Sequence, residues 1–356
     1  MRRTRLLAER RIAAGQVQAS REYRDRARKM ASSIRREGNA ALIRLPQQLA
    51  LLLLSFVVFP SFLSAQAWLF PKGEGTVSLS FQNLYVRDHA FSKGEADDRG
   101  QIFSHVLTTD VDYSLTGRLA ARIALPYVAG KYSGLRPHQI PIDNGTYHST
   151  FQDVRVNLRY NLSKRPAVIT PFFEAVIPTH RYESFGHSAV GRDQREYRVG
   201  ANFGRGLGPV LPKAYLQARY SYAVVERILG IAPNRSDTEF QFGYFLTPRF
   251  SFLGLGSWQH THSGLDFPIG LFHGGLPDDQ YRHHDQIGKA SLLDVGGGAG
   301  FALSRSLHIF VSVVRSLRGR NAHLHAAVFT VGLSRSFGTR FEADSAPFVE
   351  GAPAPN

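Results

Sequence analysis

The chain has no cysteine, and only two methionines and two tryptophans among its 356 residues. Without cysteine there is no disulfide framework, no thiolate metal centre and no thiol for N-terminal lipid attachment. Long hydrophobic runs are also missing. The longest, Leu49 to Leu63, is interrupted by Ser55, Pro60 and Ser61, and it falls short of the roughly 20 apolar residues that a membrane-spanning helix needs. Beyond Trp68 there are no heptads and no sustained 3.6-residue apolar stripe, which excludes a helical bundle.

Charge is unevenly distributed. The formal net charge is +15, yet residues 1–67 hold 13 of the basic and only 4 of the acidic side chains, so most of the excess lies ahead of the hydrophobic run. A basic stretch followed by a short apolar segment is the pattern of an export signal, whose positive end stays in the cytoplasm. Rival readings are a nucleic-acid-binding arm and a single inner-membrane anchor. Ser64-Ala65-Gln66-Ala67 ends the run with small residues at alternate positions, so cleavage is expected after Ala67. A start at Met30 leaves Arg35, Arg36 and Arg44 as an ordinary basic preface. The expected organisation is therefore a basic extension and cleaved signal over 1–67, a body over 68–337, and a flexible tail over 338–356 rich in alanine, proline and acidic residues.

What the body does contain is period-two alternation. Val77, Leu79, Phe81 and Tyr85 alternate with Ser78, Ser80 and Gln82. Val154, Val156, Leu158 and Tyr160 alternate with Asp153, Arg155, Asn157 and Arg159. Twelve such segments centre near 80, 108, 123, 156, 172, 200, 219, 242, 255, 297, 312 and 330. Short turns at 116–118, 161–166, 205–212, 247–249 and 304–306 interleave with longer connections at 87–99, 129–150, 178–193, 226–236 and 262–285. An even strand count with alternating turn lengths is the pattern of a bacterial outer-membrane barrel. The expected fold is all-β: an antiparallel up-and-down transmembrane β-barrel of about twelve strands. An arginine or lysine facing the bilayer midplane costs roughly 2–4 kcal/mol, so the apolar face must point to lipid and the charged face inward. Tyrosines at strand ends (Tyr85, Tyr127, Tyr160, Tyr222) suit an interfacial girdle.

Short motifs add a resemblance. Phe70-Pro71-Lys72-Gly73-Glu74-Gly75, the run from Tyr113 through Leu119 to Leu125-Pro126-Tyr127, Gln152-Asp153-Val154-Arg155-Val156, and Glu174-Ala175-Val176-Ile177-Pro178-Thr179 resemble the outer-membrane transporter family named for the MetA pathway of phenol degradation. Membership would imply uptake of small, often hydrophobic compounds.

The charged face supplies the lumen-lining candidates Asp110, Asp112, Arg122, Asp153, Arg155, Arg159, Glu174, Glu196, Arg198, Arg219 and Glu239. Hairpin counting sets Asp112 opposite Arg122, Arg155 near Glu174, and Glu196 near Arg219. Opposite charges across strands attract. Such pairs either form a selectivity lining or satisfy a polar interior. The loop 262–285 is unusually apolar. Leu265, Phe267, Ile269 and Phe272 make it a candidate plug or greasy binding site. His260, His262, His283 and His284 are candidate metal ligands, although their spacing is not that of a metal motif.

No catalytic residue is assigned. Asp97, Asp98, Asp278, Asp279 and His283 supply the group types of a barrel protease, but nothing in the sequence brings them together on one water. Ser104 and His105 alternate onto opposite faces. The expectation is a non-enzymatic channel or transporter for small solutes, hydrophobic or aromatic ones among them, without a cofactor. Its expected partners are outer-membrane lipid, the solute and the barrel assembly machinery, with no nucleic acid. The alternatives are a closed structural or adhesive barrel and, third, a loop-borne hydrolase.

Overall fold

The alternating segments become strands along almost their whole length. The computed structural model describes residues 67–134, 141–268 and 277–338, so the basic extension, Met30, the apolar run and most of the tail lie outside the described residues. The strands are β1 (Gly75–Ala90), β2 (Ala96–Ser114), β3 (Leu119–Ser133), β4 (His148–Phe151), β5 (Asp153–Tyr160), β6 (Val168–Pro178), β7 (Glu196–Gly206), β8 (Ala214–Val225), β9 (Arg235–Phe245), β10 (Phe250–Thr261), β11 (Ser291–Ala302), β12 (Leu307–Arg320) and β13 (Ala322–Phe337). Both β4 and β5 lie against β3, separated only by Gln152, and together make one stave. Every stave is antiparallel to its neighbours, and β1 pairs with β13 from Gly75↔Phe337 to Ala90↔Ala322. The result is a closed barrel of twelve staves without a free edge, which removes the aggregation hazard of an open strand.

Three short turns use one device. Thr116 Oγ1 accepts from the N–H groups of Arg118 and Leu119. Thr247 Oγ1 does the same for Arg249 and Phe250, and Ser304 Oγ for Ser306 and Leu307. A hydroxyl that bonds backbone two and three residues ahead fixes a tight turn. It also sets the register of each hairpin, and with it which residues face lipid.

One expectation needs correction at the opposite end. Residues 87–99 are not a loop: β1 and β2 run on to Ala90 and from Ala96. This stretch is polar on both faces and so mimics a loop in sequence. It is held by cross-strand pairing of Asp88 with Asp98 and His89 with Asp97, and by Arg87 bridging Asp88 (3.4 Å) and Asp98 (3.8 Å). The β12–β13 connection is equally tight, turning on Asn321 alone.

The wall is inside-out relative to a soluble protein. Leu79, Phe81, Ile123, Leu158, Val199, Phe240, Val313 and Phe329 are exposed on the outer surface, while Asp112, Arg159, Glu174, Glu196, Asn202 and Arg219 are buried within. Part of the interior is lined by small residues. Gly243 leaves room for the Tyr215 ring and Gly332 for the Phe310 ring, which a Cβ would overlap.

Candidate functional site: the lumen and its two mouths

Inward-facing charges on β2, β3 and β5–β9 join into one ladder. Arg122 pairs with Asp110, and Arg159 with Asp112. Farther round, Arg219 reaches Glu174 (3.1 Å) and Glu239 (3.9 Å), Arg198 reaches Glu196 (2.7 Å) and Glu174 (3.7 Å), and Arg235 reaches Glu196 (2.5 Å). Asn157 donates to Glu174 (3.1 Å), and the Arg219 guanidinium lies 4.1 Å over the Phe172 ring. Charge-assisted bonds of this kind are the strong ones.

The expected lining residues therefore face the interior, but one expected pair is wrong. Arg155 stands opposite Val176, two places from the register of Glu174, and the two feel each other's charge. Glu196 stands opposite Val225, away from Arg219, and its cations are Arg198 and Arg235. Asp112 does stand opposite Arg122 in register, yet each bonds a different partner. Tilted staves bring diagonal neighbours closer than counted ones. Arg155 is exposed to the lumen among the charges of Arg198, Glu174, Glu196 and Asp153. Asp153 accepts from the Tyr182 hydroxyl (2.6 Å). Burial and that same carboxylate push the Tyr182 hydroxyl up, so it stays a donor.

Loops converge over the mouth at the long-loop end. Two short helices, α1 (Asp278–Arg282) and α2 (His284–Ile287), precede β11. Phe267 is buried, donates its N–H to Asn321 Oδ1 (3.2 Å) and accepts from Ser92 N–H (3.3 Å). Leu265 bonds Ile287 and Lys289 through its backbone. Phe267 is thus buried within a cap, while Ile269 and Phe272 lie outside the described residues. From the far side, the β6–β7 loop brings Phe185 against Tyr281 and His284, and Gln286 donates to Arg192 C=O (2.5 Å). That loop is anchored by buried Asp143, which accepts from the N–H groups of His187 (3.2 Å) and Ser188 (3.0 Å). Since β7 lies diametrically opposite β13, these contacts cross the mouth.

Sequence reasoning missed the centre of this cap. His89 and His323 meet ring to ring at 4.6 Å, with His187 6.1 Å from His323. Asp285 lies 3.5 Å from His284 and 3.7 Å from His323. Four histidines from four chain segments left no local signal. Burial pushes the Asp285 carboxyl up, but His284, His323 and His89 outweigh it and hold it well below the usual carboxylate range. A depressed carboxylate contributes stability above its unfolded value and loses it only as pH falls through the folded one. The Asp285 contribution therefore persists through mild acid. Asp285→Asn should loosen the cap at neutral pH. Tryptic cleavage after exposed Arg282 is expected to accelerate several-fold in that variant, and an unchanged rate would show that Asp285 does not hold the cap.

The other expected histidines fall elsewhere. His260 and His262 face outward, 5.1 Å apart, with His262 bonded to Ser236 Oγ (2.7 Å). His283 bonds Gln286 (2.5 Å), and buried His284 stacks on Tyr281. Their separation onto two sides of the wall divides the proposed ligand set, and among the described residues no three such groups converge as a metal site. Asp97 is bound to Arg99 (3.1 Å), and Asp278 and Asp279 open α1. Ser316, Asp294 and His325 lie together, but the hydroxyl donates to the carboxylate (2.6 Å) with the imidazole on the other oxygen (3.0 Å). That order activates no nucleophile.

The mouth at the short-turn end is crossed by the segment 67–74. Gly73 N–H donates to Ser114 C=O (2.9 Å) beside β1 and β2. On the opposite side, Ala67 N–H donates to Gln217 (3.2 Å), its carbonyl accepts from Thr170 (2.6 Å), and Trp68 meets Tyr215 edge-on at 5.9 Å. The intervening residues reach roughly 20 Å when extended.

No protein-family model matches the chain, and no curated protein matches its sequence; the resemblance to the phenol-pathway family rests on the motifs alone. Solved structures do match. An outer membrane channel from Pseudomonas putida F1 aligns over 76% of this chain and 98% of its own, with TM-score 0.59 and 14% identity. The NanC porin covers 73% and 98% at TM-score 0.44 and 9% identity. The CymD monoaromatic hydrocarbon channel covers 79% and 95% at 0.41 and 8%. The fold is that of the first of these, an outer-membrane β-barrel.

Proposed function

We propose that this protein is an outer-membrane channel for small solutes, delivered by a cleaved signal and inserted by the barrel assembly machinery. The observation that carries the reading is the inversion of the wall. A charged and polar interior inside an apolar sleeve suits a path through lipid and suits no soluble sandwich. The similarity to a channel fold supports the same conclusion. On this reading Asp110, Asp112, Arg122, Asp153, Arg155, Arg159, Glu174, Glu196, Arg198, Arg219 and Glu239 line the path. Most are mutually neutralised and set the polar width, while Arg155 offers its charge to the solute. Phe267 and Leu265 gate the entry. The aromatic side chains of the cap, Phe185, Phe267 and Tyr281, and the phenol-pathway motifs favour small hydrophobic or aromatic cargo.

A closed structural barrel is favoured by one observation: segments cross both mouths. Conductance of the purified protein in a planar bilayer separates the two. Discrete steps, reduced by a small aromatic solute, are expected of the channel. Silence from folded, inserted protein would establish the closed barrel instead.

A further inference from the structure

The outer wall carries a cluster of exposed cations over β11 and β12. Register aligns Gly256, Val295 and Arg315 in one row, Trp258, Leu293 and Arg318 in the next, and His260, Ser291 and Arg320 in a third. Strict alternation from Arg315 would turn Arg318 and Arg320 into the lumen. A bulge at Leu317, seen as the register shift between Leu293 and Asp294, reverses the parity. Gly319 is consequently buried, while Arg315, Arg318 and Arg320 are all exposed on the face that carries Val311 and Val313. Bulges re-aim side chains in this way.

Arg320 donates to Ser92 C=O (2.6 Å) and lies 3.8 Å from Asp266. Among the described residues, Arg315, Arg318 and Lys289 have no ion pair. Lys289 and Arg320 are near enough for their charges to act on His260. Trp258 is half exposed and donates to Ser291 Oγ (3.3 Å), which places both on the outer face. With Tyr220 and Tyr222 nearby, Trp258 belongs to the aromatic girdle that marks a membrane interface. Arg318 therefore sits level with this girdle and Arg320 beyond it, while Arg315 lies one row below, within reach of the headgroups along its own side chain.

We propose that Arg315, Arg318, Arg320 and Lys289 bind the phosphate groups of an outer-leaflet lipid, with Trp258 against its acyl chains. The inference rests on the barrel lying in the outer membrane with the histidine-rich cap outside. Guanidinium forks match phosphate oxygens in pairs, and hydrocarbon below the patch completes an amphipathic seat.

The test uses the full chain purified in non-ionic detergent and native mass spectrometry. The probe is a diglucosamine lipid bearing two phosphates, compared with its dephosphorylated form. The wild-type protein should favour the phosphorylated form by at least roughly tenfold. Arg315→Gln/Arg318→Gln/Arg320→Gln should abolish the preference, and Arg87→Gln/Lys131→Gln, elsewhere on the rim, should keep it. No preference in the wild type, or one kept by the triple variant, overturns the proposal. If the triple variant does not fold, the wild-type comparison and the matching Lys triple decide it, the latter expected to bind more weakly than wild type. A chain that stays soluble and monomeric without detergent would instead sink the membrane reading itself.

Discussion

Replacing Arg159 with methionine should cost about 3–5 kcal/mol of barrel stability, because it strands a buried carboxylate. Arg159 is 2% exposed and its partner Asp112 is 3% exposed. Arginine cannot escape burial by shedding its proton, so the pair exists only as two charges facing each other. Remove one, and Asp112 loses its counterion in a place where water does not replace it. Register leaves no ready substitute: Arg122, which stands opposite Asp112, is already engaged with Asp110. The check is denaturant unfolding in detergent, followed by sheet circular dichroism. Asp112→Leu/Arg159→Met should recover most of the loss, since removing both charges can be close to neutral. A single variant that loses under about 1 kcal/mol would mean that the pair is effectively hydrated.

Gly204→Val should raise single-channel conductance several-fold by ejecting the segment across the mouth at the short-turn end. Gly204 lies on β7 facing inward. A Cβ there would meet the Trp68 ring at 2.6 Å and the Ala67 side chain at 2.8 Å. No barrel backbone is among these nearest atoms, so the clash falls on the strap, where Trp68 packs against Tyr215 and the far end is held by Gly73 N–H on Ser114 C=O. The staves keep their pairing, and β-branched residues suit strands. Trp68→Ala should act in the same direction, more weakly, by removing the ring that fills the space. If both variants conduct like wild type, the strap does not limit flow, and the cap becomes the narrowest part of the path.

The fold was legible because a barrel writes its geometry into every second residue. All twelve segment centres fall within the observed staves, and Thr116-Gly117-Arg118 marked a turn that the structure closes with a threonine hydroxyl. Legibility failed where alternation stops carrying information. Between 87 and 99 polar residues occupy both faces, so strand and loop read alike. The ladder was half legible: alternation told which side Glu196 faces, but its partner Arg235 comes from a stave two places away, and only tilt and shear bring them together. The cap was illegible. His89 and His323 meet as ladder partners of the first and last strands, and His187 and His284 join them on connections whose paths no local pattern describes, while the visible cluster of His260 and His262 lies on the outer wall.

Pairing of β1 with β13 has a consequence for how this chain comes into being. The first stave waits for the last, which is separated from it by nearly the whole body yet pairs with it from Gly75↔Phe337 to Ala90↔Ala322, with register shifts around Val86. Loss of any part of β13 leaves two raw edges at once, on β1 and on β12, each with unpaired backbone groups that hydrocarbon cannot satisfy. An incomplete chain is therefore not a slightly weaker barrel but an unclosed hoop, and a ribosome that stops early makes something the membrane cannot accept.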